Sequence, residues 1–254
     1  MLIDSHAHLN FNAYKNDLDK VVSRSLAENV WMINVGSKYE TSKKAVEIAE
    51  KYEKGVYAAI GLHPIHVPDE EFDKEKYKKL ACSDKVVAMG EIGLDHYKDY
   101  GFFKEKQKEV FLQQLDLAKE LNLPVIFHCR MAHEDLLKII NYKLKTINYK
   151  LTGVIHCFTG TWEEAKEYLE MGFYLGFNGI IYKLDLKEVI EKTPLERILI
   201  ETDCPYLTPP QTGVERNEPV FVKYISGEIA KIKNLNEQKV VETTCQNARK
   251  LFNI

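Results

Sequence analysis

Residues 124–130 read Pro-Val-Ile-Phe-His-Cys-Arg. Val125, Ile126 and Phe127 form an apolar run too short for a helix. The run does not alternate with polar residues, which is the pattern of a strand covered on both faces. It ends on His128, a side chain that can ligate a metal. Directly upstream, Phe103–Leu121 places Val110, Leu112, Leu115, Leu117, Ala118 and Leu121 at helical spacing and gives a broad apolar face. The local unit is therefore a buried strand preceded by an amphipathic helix, with a polar side chain at the strand's C-terminal end.

The same unit repeats in both directions along the chain. The predicted strands are Leu2–Ser5, Val30–Val35, Val56–Gly61, Val86–Glu91, Pro124–His128, Gly153–His156, Phe173–Phe177 and Ile198–Thr202, and the segments between them carry Lys and Glu at helical spacing. Eight such repeats predict an α/β chain folded as a closed (β/α)8 TIM barrel. An open doubly wound sheet is the alternative reading. Pro219–Ile254 predicts two further C-terminal helices split near Asn234–Asn236, and the Pro-rich stretch Cys204–Glu218 predicts a long loop over the barrel mouth. No linker or low-complexity segment interrupts residues 1–254, which are expected to form one domain.

Composition bounds the function. The 254 residues carry a formal net charge of -3, so no overall positive field draws in nucleic acid, and any such contact must come from a local patch or from metals. The segment 141–150, NYKLKTINYK, is basic and aromatic; a solvated helix end is the preferred reading and a nucleic-acid contact the alternative. The N-terminus lacks a basic and then apolar leader, and no apolar run reaches membrane-spanning length. Five scattered cysteines without a CxxC pair fit neither a disulfide framework nor a structural zinc site. A cytoplasmic protein that does not contact membranes is expected.

The chemistry collects at strand ends. His6-Ala7-His8 closes the first strand, where residues i and i+2 face the same way. Glu91 ends the fourth strand, His128 the fifth and His156 the sixth, and Asp203 follows the eighth. The C-terminal face is where barrels build active sites, so the six residues are expected to converge on metal. Four imidazoles and two carboxylates suit Zn, Mn, Fe or Co better than Ca. Cys129, Cys157 and Cys204 each follow a proposed ligand directly, so alternation turns them away from the interior and leaves them as apolar filler.

With these motifs in order, the chain resembles the TatD-type metal-dependent deoxyribonucleases, within the amidohydrolase-like group of metal barrels. The matching pieces are DSHAHL at 4–9, GLHP at 61–64, GEIGLD at 90–95, PVIFHCR at 124–130, IHCFTG at 155–160, ETDCPYL at 201–207 and RNEP at 216–219. The resemblance implies two divalent ions (Mg, Mn or Zn), with His6, His8 and Asp203 on one, His128 and His156 on the other, and Glu91 bridging them. Asp203 would then orient or deprotonate the attacking water. The implied reaction is hydrolysis of DNA phosphodiester bonds from a single-stranded or frayed end. His63, Arg130 and Arg216 are candidate phosphate contacts, and Tyr182, Tyr206 and Phe158 lie where bases would stack, with core packing the preferred reading of Phe158. His96 in DHYK (95–98) and FNGIIYK (177–183) depart from the family pattern, with His96 a possible extra ligand or a loop residue. Two other functions stay open: a metal-barrel hydrolase of an amide, lactone or small phosphoester, and a non-catalytic metal-binding interaction module. Such hydrolases often bridge their metals with a modified Lys, and Glu91 at that position favours the nuclease-like reading.

Overall fold

A computed structural model describes residues 1–146 and 151–254. The last four residues of the basic segment 141–150 lie outside the described residues. Strands β1 (Leu2–Ala7), β2 (Val30–Val35), β3 (Val56–Ile60), β4 (Val86–Asp95), β5 (Val125–Arg130), β6 (Gly153–Ile155), β7 (Tyr174–Phe177) and β8 (Ile198–Ile200) pair in parallel in sequence order. Helices α1 (Leu18–Ala27), α2 (Tyr39–Ala49), α3 (Lys74–Leu80), α4 (Lys104–Leu121), α5 (His133–Thr146), α6 (Trp162–Glu170) and α7 (Lys187–Lys192) cover the sheet between successive strands, and α8 (Val222–Lys233) and α9 (Glu237–Phe252) end the chain.

The sheet closes rather than staying open. Just past β8, Cys204 bridges Ala7 in parallel. His8 N–H donates to the Cys204 carbonyl at 2.9 Å, and Asp203 N–H donates to the His6 carbonyl at 2.9 Å. Below that seam, the backbone N–H and hydroxyl of Thr202 donate to the two oxygens of the buried Asp4 carboxyl at 2.8 and 2.6 Å. Fully buried, Asp4 has its carboxyl pushed up to about 8, against the hydrogen bonds from Thr202 that favour the ion.

Alternation along the strands separates two apolar clusters. Val125 and Phe127 point outward with Phe111 and Phe173 under the helices, whereas Ile126, Val154 and Leu199 point inward. The inward positions continue upward through His128, His156 and Glu201, so the interior is apolar at the bottom and ligand-bearing at the top. The bottom is stoppered by α9, whose Cys245, Ala248, Leu251 and Phe252 pack against Ile3, Ile33 and the other inward residues.

Strand ends differ from the sequence reading in one place that matters. Glu91 was expected to end β4, yet β4 continues through Ile92-Gly93-Leu94-Asp95 alongside His128-Cys129-Arg130. A register shift between Gly90 and Ile92 permits this. The close approach needs a glycine: Gly93 has φ +149, and a Cβ there would lie 2.0 Å from the His128 carbonyl oxygen. The final two helices fall where the Asn234–Asn236 break places them, with Asn234 capping α8 in the left-handed conformation and the Asn236 side chain accepting from Gln238 N–H at the start of α9.

Because the stopper is one helix, its loss should be felt globally. Phe252 is 2 % exposed, and Phe252→Ala should cost about 3–5 kcal/mol. Urea unfolding followed by circular dichroism checks this, and a loss below about 1 kcal/mol would mean that α9 is dispensable for the barrel.

Candidate metal centre

At the C-terminal ends of the strands opens a cavity of about 950 Å³. Its floor is a cluster of imidazoles around one carboxylate. Glu91 Oε2 lies 3.4 Å from His6 Nε2, and Glu91 Oε1 lies 2.7 Å from His128 Nδ1, 3.5 Å from His63 Nε2 and 3.8 Å from His156 Nε2. Asp203 Oδ1 is 3.4 Å from His8 Nε2, 3.7 Å from His156 Nε2 and 3.9 Å from His6 Nε2. Three compact groups of possible ligand atoms result: His6, His8 and Asp203; His6, Glu91 and His156; His63, Glu91 and His128. The structure thus brings together all six sequence-predicted ligands and sets the His63 ring beside them.

The surrounding hydrogen bonds decide which ring nitrogens can ligate. His8 Nδ1 donates to the Val35 carbonyl at 2.8 Å, which fixes the proton there and leaves the Nε2 lone pair facing Asp203. Phe11 stacks on the same ring at 4.4 Å and holds its plane. His156 Nδ1 lies 2.8 Å from Glu201 Oε1 as a charge pair, and its Nε2 is turned toward the cluster. His128 is reversed: Nε2 donates to Asp95 Oδ2 at 3.0 Å and Nδ1 faces Glu91. His6 Nε2 and His8 Nε2 approach to 3.1 Å, and the His6 ring stacks on His156 at 3.5 Å. Borderline nitrogen donors and hard carboxylate oxygens aimed at one buried space fit divalent ions of the Zn or Mn type.

Charge is shared unevenly. Burial opposes ionisation of Glu91, but His63, His156, His6 and His128 outweigh it and hold the carboxyl well below the usual range. Asp203 behaves alike: burial is overcome by the His8 hydrogen bond and by His156 and His6. Burial would depress His128 and His156, yet the Glu91 charge with Asp95 raises His128 to about 9, and the Glu201 and Glu91 charges raise His156 to about 10. His6, buried beside His156, is lowered to about 4, and His63, buried beside His128, is lowered too.

Two supporting residues escaped the sequence reading. Asp95 orients His128; its signal was its place four residues after Glu91 on the same strand, hidden by ending the strand too early. Glu201 is fully buried and gathers Cys157 N–H at 2.7 Å and Asn178 Nδ2 at 3.1 Å besides His156. Its signal was an acid two residues before Asp203, at the period that returns to the inner face. Gly176 makes room for it, since a Cβ there would lie 2.7 Å from Glu201 Oε2.

The remaining candidates divide. Arg130 borders the cavity with its guanidinium 3.7 Å over the Tyr97 ring. Arg216 is placed elsewhere, contrary to the expected phosphate contact. Its fork is taken by Asp17 at 2.9 and 2.6 Å and by Glu218 at 3.0 Å, and it lies over Tyr14, so it ties the mouth loop to α1. Tyr206 lines the cavity and is 55 % exposed. Tyr182 donates to the Tyr224 carbonyl, Phe158 is core, and His96 sits 3.7 Å from Asp135 rather than among the ligands. The Cys129 thiol turns to His133 on α5 at 3.3 Å, and Cys204 is wholly buried. Among the described residues no helix is long and apolar enough to cross a membrane.

Known proteins match this arrangement over the whole chain. The family model described as TatD related DNase matches residues 3–253. The metal-dependent hydrolase YabD of Bacillus subtilis is 43% identical, with 100% of each chain covered. The 3'-5' ssDNA/RNA exonuclease TatD of Pantoea ananatis is 34% identical, again over 100% of each chain. The crystal structure of YjjV, a TatD homolog from Escherichia coli, superposes with a TM-score of 0.90 at 28% identity, covering 100% of this chain and 98% of that one.

The raised imidazoles give a pH signature. Below about 9 and about 10 respectively, metal-free His128 and His156 hold a proton that a ligating ion must displace. Divalent-ion binding near pH 7 should therefore release about two protons per chain. Affinity should strengthen as pH rises and level off once both rings are neutral. Calorimetric titration with Mn in buffers of different ionisation enthalpy reads the proton count directly; a count near zero would remove both rings from the ligand set.

Proposed function

The chain belongs to the TatD-related DNase family, and from that membership we propose that residues 1–254 form one hydrolase domain that cleaves DNA phosphodiester bonds from a strand end. The observation that supports this most is the convergence of four imidazoles and two carboxylates at the floor of one cavity. We take His6, His8 and Asp203 as one ligand set and His128 and His156 as another, with Glu91 shared, for two divalent ions such as Mg, Mn or Zn. A carboxylate has two oxygens, and those of Glu91 face different imidazoles, Oε2 toward His6 and Oε1 toward His128. When bound, such ions lower the pKa of water and offset negative charge on phosphoryl oxygens.

The protein's own groups complete the reaction. Asp203, held ionised, accepts the proton from the attacking water. The water oxygen bonds to phosphorus as the bridging P–O bond breaks in line, and the departing sugar oxygen takes a proton from solvent. Arg130, stacked on Tyr97 at the cavity edge, is placed to fork onto a phosphate of the bound strand. Tyr206, half exposed on the mouth loop, offers an aromatic face to a base. Relatives named 3'-5' ssDNA/RNA exonucleases favour a single-stranded or frayed end. A cytoplasmic setting accords with five free thiols and no disulfide.

End-labelled single- and double-stranded DNA, incubated with metal-loaded protein, tests the reading: the products should shorten stepwise from one end, chelation should stop the reaction and Mg or Mn restore it. Activity that survives exhaustive, analytically confirmed chelation would end it. Asp203→Asn should lower the single-turnover rate roughly 10²–10⁴-fold while DNA binding persists; a fall below about tenfold would assign the proton to another acceptor. Arg130→Ala should weaken DNA binding with little change in melting temperature. Arg216→Ala should do the reverse, because its partners are Asp17 and Glu218; weakened DNA binding without a thermal shift would return Arg216 to the substrate.

A further inference from the structure

His63 has the nitrogen spacing of a ligand but the wrong proton. It precedes Pro64, which has no N–H, so the first free backbone donor of the short turn Pro64–His66 is Ile65 N–H. That N–H donates to His63 Nδ1 at 3.1 Å, and the imidazole thus takes the capping place that an Asp or Asn side chain would fill. A neutral imidazole carries one proton. With the Nδ1 lone pair spent on Ile65, the proton sits on Nε2, the atom that faces the centre. Ligation through Nε2 would require the proton on Nδ1, where two N–H groups would then point at each other. His8 is wired the opposite way, since its Nδ1 donates to the Val35 carbonyl and its Nε2 lone pair is free.

The donor is also unspent. Glu91 Oε1, which it faces, stands at 3.5 Å, beyond the usual N–H···O range of about 2.7–3.2 Å. His63 borders the cavity beside Asp95 and Arg130, so a substrate oxygen can reach it. From this wiring we infer that His63 is excluded from the metal ligands and is a fixed-tautomer donor, whose Nε2–H binds a non-bridging phosphoryl oxygen of the substrate. The inference rests on the phosphodiesterase reading for its substrate class, while the tautomer rests on the Ile65 bond alone.

Two amide substitutions separate the two nitrogens. In His63→Asn, Oδ1 occupies the Nδ1 place and keeps the cap, and no donor remains toward the cavity. In His63→Gln, the amide N–H₂ reaches the Nε2 place and the cap is lost. Three quantities are read: metal content after dialysis, affinity of the Mg-loaded protein for inorganic phosphate, and the ring nitrogen shifts of His63 in ¹⁵N-labelled protein with and without Mg. Metal content should stay at the wild-type level in His63→Asn, and phosphate affinity should fall on the order of ten- to hundredfold, as for a hydrogen bond to a charged group. His63→Gln should recover part of that loss. The spectrum should show Nε2 protonated and Nδ1 unprotonated in both states. A metal content reduced in His63→Asn, a proton on Nδ1, or an unchanged phosphate affinity would each overturn the inference. Wild-type protein that binds phosphate through His63 but leaves labelled DNA intact would instead sink the nuclease reading and leave this one standing.

Discussion

The structure depends on the seam where the first strand meets the last. The backbone bonds that close the barrel, His8 N–H to Cys204 O and Asp203 N–H to His6 O, involve the proposed ligands or their immediate neighbours. Barrel closure and assembly of the His6–His8–Asp203 group are therefore one event. Thr202 and Asp4 reinforce the seam from its outer side with two short hydrogen bonds. A seam that slipped by one residue would turn Asp203 to the helical face and replace it with a neighbour, since strand faces alternate.

Most of the fold was legible because each element repeats one pattern: a buried apolar run, then an amphipathic helix. The break at Asn234–Asn236 was readable for a different reason, since Asn tolerates the left-handed conformation that ends α8. The six converging side chains were visible because each stands at or just beyond a strand end. What stayed hidden was whatever acts through another residue. Asp95 became part of the site only through the register shift after Gly90, and sequence alone does not reveal a shift of pairing. Glu201 stood in a quoted motif, yet its partner is the far nitrogen of a ring from a different strand. Arg216 misled because a cation in a mouth loop looks available until Asp17 and Glu218, both acidic, are seen to hold it.

The imidazoles show how little of a metal-type centre lies in its residue types. Five histidines share the floor of one cavity, and their chemical names do not distinguish them. A carbonyl from β2 sets His8, carboxylates from β4 and just beyond β8 set His128 and His156, and one backbone N–H after a proline sets His63. Function is thus written at one remove, in the acceptors and donors behind the rings. Glu91 stays ionised because burial is outweighed by the imidazoles around it, so the carboxylate and the rings stabilise one another's charge states.

The helix α9 at the base of the barrel has a consequence for traffic. With Leu251 and Phe252 packed against the inward residues, the lower end of the barrel is filled and the chamber opens away from it, at the strands' C-terminal ends. Whatever is cut loose at the floor must leave past the remainder of the chain that brought it in. For a polymer this forces a queue: the severed unit and the advancing strand exchange places at the same threshold, and each round ends with a partial retreat. A through-channel would let fragments exit by a rear door while the strand pressed forward; this architecture gives the pace of turnover to the doorway itself.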